Sequence, residues 1–222
     1  MNYKTIITEL KSCKNPSNIA GMARFGINSK NTLGVSMPIV RKMAKEIGKD
    51  HKMALKLWDS KIHEARILAG LIDEPALVTE KQMEKWVKGF DSWDVCDQVC
   101  MNLFDKTELA WTMPFELSKR KEEFVKRTGF ALMAALAFHD KTADDKKFLE
   151  FFPTIKREAT DERNFVRKAV NWALRQIGKR NKNLCHEALK LAREIQVENP
   201  DNKTAKWIAG DAIRELDKKT FL

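Results

Sequence analysis

The chain repeats itself at a spacing close to forty residues, and that spacing limits the folds open to it. Ala173-Leu174-Arg175-Gln176-Ile177 returns as Ala212-Ile213-Arg214-Glu215-Leu216 at an offset of 39, and Val125-Lys126-Arg127 returns as Val166-Arg167-Lys168 at an offset of 41. Val40-Arg41-Lys42 opens an earlier helical stretch with the same pattern. These offsets fall near the ~40–47-residue period of two-helix HEAT-type repeats. A stacked array of such pairs buries apolar faces between neighbours and turns the inner helices toward one surface.

The local signals agree with helix throughout. Tyr3 is the only tyrosine, β-branched residues seldom alternate, and long stretches rich in Ala, Leu, Lys and Glu carry helical spacing. Asn15 caps a second helix with Pro16 at its first position, Ser36 and Pro38 open one that stops at Gly48, and Thr79 caps one that ends at Gly89. Further segments are expected from Asn2 to Ser12, His51 to Ser60 and Ile62 to Ile72. After the Trp93 stretch come Thr107 to Met113 and a break at Pro114. A long helix is then expected from Lys119 to His139, followed by Asp144 to Phe152, a helix from an Asp161 cap to Ile177, Asn183 to Glu198, and Lys203 to Lys218. The expectation is an all-α chain: a right-handed or curved solenoid of HEAT-like helical pairs, forming a single domain over residues 1–222.

Charge narrows the partners. Forty-one Lys and Arg against 31 Asp and Glu give a formal charge of +10, which favours a polyanion such as nucleic acid or an anionic membrane. Between Lys156 and Lys182 stand nine basic residues and three acidic ones. The longest apolar run, Phe130 to Phe138, is too short to span a bilayer, so no membrane partner is expected. Cys13, Cys96, Cys100 and Cys185 follow no disulfide-framework spacing, and a reducing cytoplasm is the expected setting. Cys96 and Cys100, one turn apart without a companion His or second pair, read as small core residues, and neither metal nor other cofactor is expected.

Several catalytic schemes lack their parts. No Gly-rich phosphate loop follows a strand, no His-Glu-x-x-His occurs, and no Ser lies in a nucleophile elbow. His51, His63, His139 and His186 are scattered and read as surface or satisfied side chains. What remains is Asp91-Ser92-Trp93-Asp94-Val95-Cys96-Asp97-Gln98-Val99-Cys100, where Trp93 and Asp97 are one helical turn apart on the edge opposite Val95 and Val99. Asp91 or Ser92 is the expected cap. To this are added Trp172, in Val170-Asn171-Trp172-Ala173-Leu174-Arg175, and Arg127. Taken singly, the tryptophans also read as core, and Arg127 as a solvated or ion-paired side chain; Trp86, Trp111 and Trp207 are expected in the core.

Together these segments resemble the AlkD-like DNA alkylation repair glycosylase family, whose fold is a solenoid of HEAT-like repeats. The resemblance rests on Met22-Ala23-Arg24-Phe25-Gly26-Ile27, Trp93-Asp94-x-x-Asp97, Lys126-Arg127-Thr128 and Trp172-Ala173-Leu174-Arg175, and so covers most of the chain. By motif it implies a catalytic set of Asp97, Trp93 and Trp172, with Arg127 gripping a phosphate. Lys126, Arg167, Lys168, Arg175 and Lys179 are the further basic residues expected against DNA. A tyrosine that the family places on an early helix has no counterpart here; Phe25 or Met22 occupies that stretch.

The activity so implied is excision of cationic alkylpurines, 3-methyladenine and 7-methylguanine, from alkylated double-stranded DNA by a monomer. Two other readings stay open: a non-catalytic HEAT-like solenoid that binds distorted or branched DNA by shape, and a protein-interaction scaffold, which predicts no salt-sensitive DNA binding.

Overall fold

The computed structural model describes residues 1–221, and among them every regular element is helical. The chain divides into two compact units, residues 1–108 and 109–222. In the first, α3 (Met37–Ile47), α5 (His63–Ile72) and α7 (Trp93–Asn102) pack in succession as one layer. The second layer is built on α4 (His51–Asp59), which packs on α5 and on α1 (Tyr3–Ser12). Trp58 of α4 stacks on Trp86 of α6 (Glu80–Lys88) with ring centroids 4.2 Å apart, and Phe90 meets Trp58 edge-on. That offset-stacked and T-shaped cluster is where the large apolar area of this unit is buried. α2 (Pro16–Arg24) leads into the loop before α3.

In the second unit, α9 (Glu123–His139), α12 (Asn164–Gly178) and α14 (Lys203–Leu216) form the corresponding layer. Their first residues are offset by the 41 and 39 positions at which the sequence repeats. Behind them lie α8 (Met113–Leu117), α10 (Asp145–Leu149), α11 (Phe152–Arg157) and α13 (Lys182–Glu198), closing over a core of Phe130, Met133, Phe148, Phe151, Ile155 and the apolar rows of α12 to α14. In the first unit α5 and α7 start closer together, at His63 and Trp93, so its repeats are shorter.

Two helix starts follow caps read from the sequence: Asn15 accepts from the amide of Asn18 at 3.2 Å with Pro16 at N1, and Thr79 accepts from that of Gln82, also at 3.2 Å, whereas Ser36 precedes α3 without a side-chain cap bond. Several boundaries differ from expectation; the segment expected from Asp144 to Phe152 ends at Leu149, and a separate helix, α11, begins at Phe152. Pro114 does not break a helix but opens α8 near its first position, after turns over 107–112, because a helix start has no use for the missing N–H. Residues 118–122 are turn and bend, so the long helix begins at Glu123. Arg163, not Asp161, is the residue preceding α12; the Asp161 carboxylate instead accepts from the Arg163 amide and guanidinium.

Gly70 and Gly129 permit two of the closest helix approaches. A Cβ on Gly70 would lie 3.0 Å from Val99, so its absence lets α7 press onto α5; a Cβ on Gly129 would lie 2.9 Å from the Pro114 carbonyl oxygen and from the Ser118 amide.

Candidate nucleic-acid site

α7 places its residues as the sequence pattern requires: Val95, Cys96, Val99 and Cys100 are fully buried, while Trp93, Asp94, Asp97 and Gln98 are half-buried along its outer edge. Burial pushes the Cys100 thiol well above the usual thiol range, with Cys96 and the negative charges of Asp97 and Asp105 adding to it, so it stays neutral and packs as a small apolar residue.

The start of α7 is fixed by a loop distant in sequence. The Trp93 indole Nε1 donates to the carbonyl oxygen of Phe25 at 3.0 Å. The amide of Asn28 donates to Ser92 Oγ at 2.8 Å, and its side-chain Nδ2 donates to Asp91 at 3.0 Å. Ser92 therefore precedes the helix without capping it through its side chain: the hydroxyl is turned to Asn28. The loop itself is held from α5, where the buried Glu64 carboxylate accepts from the amides of Leu33, Gly34 and Val35, the shortest at 2.6 Å. Gly34 has φ +76°, and a Cβ there would collide with the Asn15 carbonyl oxygen. Arg66, also on α5, donates to the Gly89 carbonyl and to Asp91 and lies over the Trp58 ring.

Asp94 and Asp97 do not form a working pair of acids. The buried His63 imidazole lies 2.8 Å from Asp94 Oδ2. Burial of that ring disfavours its charged form, but the hydrogen bond and charge of Asp94, with Glu64 and Asp91 near, outweigh it and raise the His63 pKa. Sequence reasoning missed this dyad, since no local signal ties position 63 to position 94.

In the second unit Arg127 and Trp172 fall on adjacent helices, α9 and α12. Trp172 is half-buried between buried Asn171 and Ala173. Arg127 is 5% exposed, and its Nη1 donates to the Phe165 carbonyl oxygen at 2.6 Å, beside the stacked rings of Phe124 and Phe165. One arm of its guanidinium is thus held by α12.

The other basic candidates divide. Lys126 is enclosed with Glu158 and Asp161. Arg175 pairs with Glu215 and lies 3.4 Å from Asp211, and Lys179 also pairs with Glu215. Burial works against ionisation of Glu215, yet the hydrogen bonds from Lys179 and Arg175 hold its pKa below the usual carboxylate range. Among the described residues Arg167 and the exposed Lys168 have no carboxylate partner. Trp86 is fully buried and Trp111 packs on Phe151, but Trp207 is not core: it is 39% exposed beneath Arg167. Its place on the outer row of the last helix of the layer gives it no further helix to cover it.

This architecture is that of a HEAT-like helical repeat protein. A solved structure with a TM-score of 0.78 and 19% identity, covering 87% of this chain and 83% of its own, is described as a new family of proteins related to the HEAT-like repeat DNA glycosylases with affinity for branched DNA structures. No curated protein matches the chain. The family model described as DNA alkylation repair enzyme matches residues 6–216, and the chain belongs to that family. Among the described residues no helix is long and apolar enough to cross a membrane.

Proposed function

We propose that the protein is a DNA glycosylase that releases cationic N-alkylated purines, such as 3-methyladenine and 7-methylguanine, from duplex DNA. The observation that carries the reading is α7, which presents Trp93 and Asp97 one turn apart on a half-buried edge while His63 engages Asp94. The reading treats residues 1–222 as one functional array acting as a monomer in the cytoplasm.

An N-alkylpurine already carries positive charge. The C1′–N bond breaks with its electron pair going to the base, which departs neutral, so no general acid is needed. The deoxyribose is left cationic, and a fixed Asp97 carboxylate attracts that developing charge more strongly than it attracts the ground state. Water then adds at C1′ and passes its proton to Asp97 or to solvent, leaving an abasic sugar. Trp93 and Trp172 offer ring faces to the sugar and backbone, and those faces also favour positive charge. Arg127 is the cation that the reading assigns to a phosphate. Of the remaining cations Arg167 and Lys168 are the best placed for sequence-independent contacts, because Lys126, Arg175 and Lys179 are engaged with acids.

The deciding experiment is release of methylated purine from alkylated duplex DNA by the native chain, Asp97→Asn and Asp97→Ala. Loss of release with duplex affinity kept supports the reading, and equal release removes Asp97 from the mechanism. The description of the solved relative favours one second reading, a non-catalytic binder of branched DNA. Native protein that binds branched or intact duplexes and releases no base would establish it.

A further inference from the structure

Cations along the seam between α12 and α14 meet two different fates. At the C-terminal end of α12, Arg175 and Lys179 are neutralised by Asp211 and Glu215. In the middle, Asn171 donates to the Ile208 carbonyl at 3.2 Å and accepts from Arg175 at 2.8 Å. Toward the opposite end neither helix itself carries an acid. α12 contains no acidic residue, and the first acid within α14 is Asp211, already engaged by Arg175 and Arg214.

Arg167 accordingly rests on a ring. Its guanidinium carbon lies 5.4 Å from the Trp207 centroid, its Nη2 reaches Asn164 only at 3.4 Å, and its buried Nε has no hydrogen-bond partner. Trp207 is 39% exposed, an unusual surface for the largest side chain on a stable helix. Lys203 and Lys206 flank it on α14, and Lys168 adjoins Arg167 on α12; all three are exposed, and among the described residues none has an ion-pair partner. A guanidinium held over an indole loses less freedom when it binds, which suits contact with phosphate. The uncovered indole edge offers apolar area to a sugar, with its N–H as a polar handle.

We propose that Arg167, Trp207, Lys168, Lys203 and Lys206 form a platform for the phosphodiester backbone of a DNA strand, Trp207 orienting Arg167 and packing against a deoxyribose. The platform rests on the DNA-binding part of the function proposed above and extends it to the last helix of the layer. Lys168 is one turn from Trp172, so the contact continues from that residue's helix onto α14. None of these side chains takes part in bond breaking.

The test is fluorescence anisotropy of a labelled unmodified duplex titrated across salt concentrations, alongside excision at saturating alkylated DNA. Arg167→Gln is expected to lower the slope of log affinity against log salt by about one, and Lys203→Gln with Lys206→Gln by about two. Trp207→Ala removes no charge, so it should weaken binding several-fold with the slope largely kept, and Trp207→Phe should restore most of the loss. Excision at saturating alkylated DNA by the Lys203→Gln, Lys206→Gln double variant should match that of the native chain. Native slopes and affinities in the Arg167 and Lys203/Lys206 variants overturn the platform, while loss of excision in Asp97→Asn leaves the glycosylase standing. A native chain with no salt-dependent duplex binding overturns both. An equal loss of binding to a polyglutamate peptide also overturns the platform as a nucleic-acid site.

Discussion

Trp93 and Phe25 are joined across 68 positions by a single hydrogen bond, from the indole nitrogen to the main-chain carbonyl at 3.0 Å. The ring that the proposed function needs on α7 is therefore aimed by the loop after α2, and Phe25 itself remains 74% exposed. Trp93→Phe keeps an aromatic face and removes the donor. The expected cost is about 1 kcal/mol, a fall in Tm of roughly 2–4 °C for a chain of this size, read by a thermal melt. No change would mean that the hydrogen bond does not fix the ring.

Asp94 and Asp97 are predicted to fail in different assays. Asp97→Asn should lower excision by about 10²-fold or more, the scale of a lost electrostatic contact to the transition state, with the melt nearly unchanged. Asp94→Asn removes the anion facing a buried imidazole, so its main effect should be lower stability. A reversal of the two phenotypes would assign the chemistry to Asp94.

The raised pKa of His63 sets the sign of a pH effect. Both folded and unfolded chains bind the proton below about pH 6.5, so the dyad's contribution is complete there, and it is lost as pH rises through the higher folded value. The stability gap between the native chain and His63→Gln, followed by urea unfolding, should be widest in acid and narrow toward alkaline pH. A gap that widens with pH would contradict the pairing.

Gly129→Ala should be costly although alanine is the better helix former. Its methyl group would meet the backbone of Pro114 and Ser118 at 2.9 Å, and neither can swing aside. Forced separation of α8 from α9 is expected to cost about 1–3 kcal/mol, measured by denaturant midpoint.

Arg127→Ala removes a buried donor from the Phe165 carbonyl as well as a candidate phosphate contact. Weaker duplex binding and a salt slope shallower by about one are expected. Arg127→Lys keeps the charge but not the fork, and should recover the slope while leaving affinity below the native value. A native slope in Arg127→Ala would count against any phosphate role.

What was legible in the sequence is what depends on near neighbours along the chain. Asn15 and Thr79, both read as caps, each accept from an amide three positions on, and a cap needs nothing more distant than that. The apolar row of α7 and the repeat offsets of 39 and 41 were legible for the same reason, being periodic features of one stretch or of two copies of it. Tertiary structure alone decided which charges are spent. Lys126 finds Glu158, and Arg175 finds Glu215, because packing one repeat on the next brings together residues 32 and 40 positions apart. The same stacking gives His63 to Asp94 and leaves Trp207 uncovered on the last helix of its layer. Composition counts a cation wherever it stands; only the register between neighbouring helices determines whether a carboxylate, an aromatic ring or solvent faces it.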